Sequence, residues 1–146
     1  MKILLSLVLL SSGYFLVAQS IEGRWKTIDD ESGEPRSVVD IYQKDDGMYY
    51  GKILEIFAAP GEDPDPICDK CPEEDPRYMN RVIGMEIIKE MEFDEADNEY
   101  SDGRILDPED GNEYDCKLWV DESGNLRVRG YVAFFYRTQT WLPYEK

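Results

Sequence analysis

The 146-residue chain has no histidine. That removes the usual general base at neutral pH and every histidine-based nucleophilic triad. Cysteine is scarce, with 3 in all, too few to complete a four-ligand zinc site without a carboxylate or a second molecule. Positive charge is short as well: 16 Lys and Arg face 32 Asp and Glu, for a net charge of −16. Such a field repels phosphate backbones and anionic lipid surfaces, so nucleic acid and membrane surfaces are not expected partners of the chain as a whole. Internal repeats and low-complexity blocks are missing. So are long apolar runs, except at the start.

That first stretch has a lone Lys2, an apolar run over residues 3–17 and the small Ala18, the layout of a secretory signal peptide. The run falls short of the roughly 20 apolar residues a spanning helix needs, and no cysteine follows it to take a lipid. The expectation is a signal peptide over 1–19, cleavage near Gln19 or Ser20, and one exported domain over 20–146 in the periplasm or outside the cell, with no membrane insertion after cleavage. Loss of Lys2 lowers Lys and Arg from 16 to 15 against 32 acids, a net charge of −17. The acids are spread through turns and strand faces, which reads as a well-hydrated surface.

Turn signals punctuate the rest at short intervals. Residues 37–43 and 48–57 are β-rich runs joined across Asp45-Asp46-Gly47, which predicts a hairpin. From Ile83 to Phe93 the odd positions are mostly apolar, while Glu86, Glu90 and Glu92 are even. This period of two predicts a strand with Met85 and Ile87 inward. Residues 103–106, 112–120 and 126–132 follow, separated by Asp107-Pro108-Glu109-Asp110-Gly111 and Asp121-Glu122-Ser123-Gly124-Asn125. With Val120 opposite Leu126, Leu118 faces Val128 and Cys116 faces Gly130 on the inner side, while Trp119 lies opposite Arg127 outside, with Arg129 nearby as part of a cation–π cover. Residues 23–28 and 138–141 complete about eight strands with no helix. The fold class expected is all-β, an antiparallel up-and-down barrel, because closure removes the free edges that an exported β protein must avoid.

Three segments, GRWKT, GRILDPEDGNEYDCKLW and LRVRGYVAFFYRTQTW, resemble an exported bacterial family known as domain of unknown function 2147, whose architecture is similar to the lipocalin-like barrels. The most specific parts are Asp107-Pro108 with Gly111 and Tyr114, and the run from Arg129-Gly130-Tyr131 to Trp141. The resemblance covers nearly all of the mature chain and implies a fold and an envelope address without a reaction. Gly23-Arg24-Trp25 is similar to the Gly-x-Trp of the first lipocalin strand, which implies an arginine, here Arg137, packed over the Trp25 indole. An eight-stranded barrel is either filled by side chains or wide enough for one small ligand.

Cys68 and Cys71 stand three positions apart among acids and prolines. Redox catalysis needs a stabilised thiolate, whereas Asp65, Asp69, Glu73, Glu74 and Asp75 raise thiol pKa values. In an oxidising envelope the reading is a Cys68–Cys71 disulfide with Cys116 reduced and buried, although three pairings exist for three cysteines. The segment 58–80 around them is long and proline-rich, either disordered or a flap over a barrel mouth. No metal site and no cofactor are expected; an Asp-Pro to Asp-Gly hairpin turn accounts for the acidic run 107–113 without calcium.

The ligand-binding candidates are Trp25, Tyr50, Met85, Ile87, Tyr114, Phe134, Arg137 and Trp141, with Phe134 inward by alternation from Leu126 and Val128. The first functional reading is a non-enzymatic barrel that holds a small, partly apolar ligand. A second is a filled barrel acting as an interaction or scaffold module through its acidic face or aromatic edge, its protein partner unknown. A third is an envelope enzyme working through carboxylates, with Arg104 and Arg137 in attendance.

Overall fold

A computed structural model describes residues 19–145. The expected signal segment up to residue 18 lies outside the described residues. The described chain forms eight strands in sequence: β1 (Gly23–Ile28), β2 (Pro35–Gln43), β3 (Tyr49–Ile56), β4 (Glu86–Asp94), β5 (Glu99–Asp107), β6 (Asn112–Val120), β7 (Leu126–Val132) and β8 (Phe135–Pro143). Each pairs antiparallel with the next, and β1 pairs with β8 to close an up-and-down barrel. The closing seam is short, with Trp25 opposite Pro143 and Lys26 opposite Leu142. Tyr144 extends it by donating its backbone N–H to the Arg24 carbonyl.

Meander topology sorts the connections into two ends. The β1–β2, β3–β4, β5–β6 and β7–β8 links share one end, the rim; the other links and Ile21 lie at the base. The predicted β6–β7 register holds, with Val120 opposite Leu126, Leu118 opposite Val128 and Cys116 opposite Gly130. Small residues pack where the wall crowds the axis. A Cβ on Gly51 would lie 3.1 Å from Ile88, and one on Gly103 would overlap both Met91 Sδ and the Lys89 carbonyl.

β4 departs from strict alternation. Glu90 and Asp102 have φ of 58° and 62°, and there β4 carries an extra residue against β3, between Ile88 and Met91, and β5 one against β6, between Tyr100 and Gly103, while the β4–β5 register itself runs on unbroken. The paired bulges keep Met91 and Phe93 inward but bring Ile88, an even position, opposite Ile105 and Gly51. A bulge adds a residue without changing the residue types, so a period count misses it.

The core runs the length of the lower barrel. Val39, Ile41, Ile88, Met91, Leu118 and Leu126 each expose no more than 1% of their surface. A ligand-sized void beside them would give them accessible surface, so this part of the interior is filled by side chains. Met91 Sδ sits 3.4 Å from Cys116 Sγ, and the Tyr49 and Tyr100 rings meet edge to face at 4.9 Å.

Candidate functional site

The long β3–β4 segment is neither disordered nor a free flap. It is fastened to the rim and to the outside of the wall. Cys68 and Cys71 form the expected disulfide, both buried, and Cys116 is free and buried. Lys70 Nζ donates to the Glu109 carbonyl at 2.9 Å. Gly111, at φ 75°, is the residue the strap needs there, because any Cβ would overlap the Lys70 carbonyl. Arg36 ties the start of the strap to the β5–β6 turn by pairing with Glu62 at 2.9 Å and Glu109 at 2.6 Å.

The firmest tie is Arg77, whose guanidinium pairs with Asp75 at 2.7 Å and Glu113 at 2.6 Å. It also donates to the Glu86 carbonyl. The hydrogen bonds from Arg77 hold the Asp75 carboxyl at about 2. Burial pushes Glu113 upward, but hydrogen bonds from Arg77 and Lys89 outweigh it and leave Glu113 lowered. A groove of about 490 Å³ between strap and β4 is lined by Arg77, Arg81, Lys89, Asp75 and Glu86 among others. Its half-buried cation, Arg77, is already saturated by its own carboxylates, so the groove reads as the margin of a structural clamp.

The eight predicted ligand residues do not converge on one pocket. Trp25 is buried with its indole N–H on the Ile21 carbonyl at 2.8 Å, and Trp141 is buried opposite Leu126. Met85 and Ile87 are buried in the wall where β4 begins, with the Met85 carbonyl accepting from Ile53 N–H. Tyr50 lies on the outer face beside Tyr42; its hydroxyl donates to Asp46 at 2.6 Å and Lys44 Nζ sits 3.6 Å from its ring centroid. Tyr114 and Arg137 stand at the rim, bound to Asp110 and to Asp30 of the β1–β2 turn. Arg137 therefore does not cover Trp25. The cover on Trp119 comes from Arg129, 5.0 Å from the ring, while Arg127 turns to Asp121.

Phe134 is displaced furthest from its expected place. Pairing continues to Val132 with Phe135, so Ala133 and Phe134 alone make the turn, and alternation cannot be carried through it. Ala133 sits at φ 50°, a left-handed conformation that favours glycine at a two-residue hairpin turn. Phe134 is 98% exposed, Phe135 75%, Tyr136 62% and Val132 50%. Behind this tip the Arg129 guanidinium lies between Trp119 and Tyr136, 4.2 Å from the Tyr136 ring, and its Nε donates to Thr138. Residues 126–144 contain Arg127, Arg129 and Arg137 but no Asp or Glu. Taking these three positive charges out of the net −16 leaves −19 on the remainder. That acid-free stretch is legible in the sequence and is the signal that sequence reasoning passed over.

The inner face of the rim is more polar than the core below. Thr27 and Ser37 are hydrogen-bonded to each other at 2.8 Å, and Ile105, Tyr114, Gly130 and Gln139 are partly exposed. Surrounding protein raises the Asp107 carboxyl, with the Asp110 charge adding to the effect and the hydrogen bond from the Glu109 N–H opposing it. These groups are held by turns and ion pairs, and the described ones set no nucleophile against a base.

A sequence profile described as "Uncharacterized protein conserved in bacteria (DUF2147)" matches residues 23–142. No curated protein matches the chain. Among solved structures, the chain is similar to protein HP1028 of the human pathogen Helicobacter pylori, described as belonging to the lipocalin family. The TM-score is 0.69 at 15% identity, over 87% of this chain and 84% of that one. At that identity the likeness shows the lipocalin-like barrel fold.

Proposed function

The chain belongs to the bacterial family described as DUF2147, and from that premise we propose that it is a non-enzymatic binding protein of the cell envelope that docks through its rim, led by the β7–β8 hairpin. The observation that carries this is the run of exposed side chains from Val132 to Tyr136, led by Phe134 at 98%, whereas the other exposed large apolar residues described, Ile67 and Met79, stand singly on the strap. A contiguous exposed apolar cluster on an otherwise acidic surface marks an interaction site. The apolar run over residues 3–17 and the Cys68–Cys71 disulfide support export to an oxidising compartment.

A small-molecule role is confined by the same geometry. Because Met91, Leu118 and their neighbours fill the lower barrel, a ligand would sit in the rim beside Ile105, Tyr114 and Gln139 rather than along the axis. The partly exposed inner face there favours this second reading.

Site-specific photocrosslinking in living cells tests the docking reading. A benzophenone amino acid at Phe134 is expected to give a discrete adduct, and the same probe at Asp97, in the β4–β5 turn at the base, none. Equal smears from both positions would overturn it. Native mass spectrometry of envelope-purified protein tests the rim-ligand reading through a stoichiometric added mass.

A further inference from the structure

We infer that the surface met by the β7–β8 tip is a membrane bearing anionic phospholipid, an inference that rests on the docking reading above. The tip is convex. Phe134 makes almost no contact with its own protein, and the groove between strap and β4 is lined by other residues. A rigid protein partner would have to bring a whole cavity to receive it, whereas the interfacial zone of a bilayer moulds itself around an aromatic side chain.

The spacing of charge behind the tip fits the same occupant. The last cross-strand pair is Val132 with Phe135; Gly130 pairs with Arg137 two steps back, and Arg129 with Thr138 three steps back. At roughly 3.4 Å per residue along a strand, the two arginines lie about 7–10 Å behind the aromatic tip. Amphipathic elements bury their apolar groups about 5–10 Å into the headgroup boundary. Arg129 then stands level with the phosphates when Phe134 and Phe135 are immersed, whereas Arg137 at similar depth is already paired with Asp30. Arg129 has no ion pair among the described residues, so it is not spoken for by a carboxylate.

The net acidity, which argues against anionic surfaces for the chain as a whole, is unevenly placed. With −19 on the remainder, a side-on approach is repelled; the β1–β2 and β5–β6 turns at the same end are acidic too, so contact is confined to the exposed tip of the hairpin, with the barrel tilted to hold those turns off the surface.

Flotation of the mature protein with vesicles of phosphatidylethanolamine and phosphatidylglycerol tests this. Binding is expected at low salt and not with pure phosphatidylcholine. The double variant Phe134→Ser, Phe135→Ser should bind at least about tenfold more weakly, since each ring carries a large share of the immersed apolar surface, with its thermal unfolding unchanged. Arg129→Gln should weaken binding and flatten its salt dependence. Undiminished binding by the double variant, or no binding of the wild type at low salt, would overturn the lipid assignment. If vesicles are ignored while Phe134 crosslinks a discrete protein in cells, the lipid assignment fails and the docking reading stands. If both are negative, both fall.

Discussion

The filled interior makes a sharp prediction at Met91. This side chain is wholly buried, its Sδ is 3.4 Å from Cys116 Sγ, and its backbone lies across from Tyr49. Met91→Ala removes the thioether and its methyl from a site whose neighbours are pinned by strand pairing on both sides, so the gap cannot collapse. Truncations of this kind cost about 2–5 kcal/mol, the larger values where the cavity persists. We expect about 3 kcal/mol, equivalent to a fall in Tm on the order of 10 °C for a domain of this size. The assay is urea unfolding followed by tryptophan fluorescence, with the slope m unchanged because the surface exposed on unfolding is nearly the same. Phe134→Ala, which removes a ring that touches almost nothing, should stay within about 0.5 kcal/mol of wild type.

A second measurement removes the ambiguity. A dry apolar cavity binds benzene or xenon, and binding to the native state alone raises stability. Benzene should therefore raise the Tm of Met91→Ala and leave wild type unmoved. A loss below about 1 kcal/mol, or a wild type already stabilised by benzene, would mean that a void lies beside Met91. The claim that the lower barrel excludes ligands would then be wrong.

Three further outcomes follow from the strap and the thiols. Gly111→Ala combines a left-handed φ of 75° with overlap on the Lys70 carbonyl and should cost about 2–4 kcal/mol. Gly124→Ala, at φ 81° in open space, should lose only the backbone part, about 1 kcal/mol; equal losses by thermal unfolding would refute the contact. Asp75 is held at about 2, against an ordinary value of 3.8, so its contribution is fully present above pH about 4 and is lost as pH falls through about 2. That loss is on the order of 2 kcal/mol, and Asp75→Asn should abolish it in acid titrations monitored by circular dichroism. Burial pushes the Cys116 thiol up to about 12. Iodoacetamide at pH 8 should label it only after unfolding, and mass spectrometry showing labelling of the native protein would contradict the placement.

Much of the fold was legible because side-chain chemistry marks it. Leu118 with Val128 and Cys116 with Gly130 set the β6–β7 register, and turn residues such as Asp45-Asp46-Gly47 and Asp121-Glu122-Ser123-Gly124-Asn125 marked the breaks between strands. The acidic surroundings spoke against a redox thiolate, and the expected oxidising compartment pointed to the Cys68–Cys71 disulfide that the structure shows. What could not be read lay where geometry leaves no compositional trace. The paired bulges fall on Glu90 and Asp102, neither of them a glycine. Tyr50 and Tyr49 are adjacent and chemically equal, so only the pairing of Tyr42 with Tyr50 shows which one faces out. Arg77 reaches Glu113 across 36 positions, a distance over which no local pattern speaks. Ala133-Phe134 carries no Gly, Asn or Pro to announce a turn, so alternation ran on through it and sent Phe134 inward.

That unannounced turn bears on why the barrel is built as it is. A two-residue turn with alanine at a glycine-favouring φ and a phenylalanine in solvent is doubly costly, in backbone strain and in exposed apolar surface. On an open sheet such a tip beside free edges would invite aggregation; on a closed barrel every strand is paired, and Phe134 at the tip is the most exposed large apolar side chain among the described residues. The filled core adds stiffness, because close-packed interiors transmit position with little slack. Arg129 is stacked on Trp119 and Tyr136, which fixes the root of the hairpin while leaving its end unsupported. On the docking proposal, a lipocalin-like barrel whose lower interior is filled has a use for its shape: it would hold one hairpin rigidly outward, while the acids spread over the barrel wall disfavour a side-on approach to a negative surface.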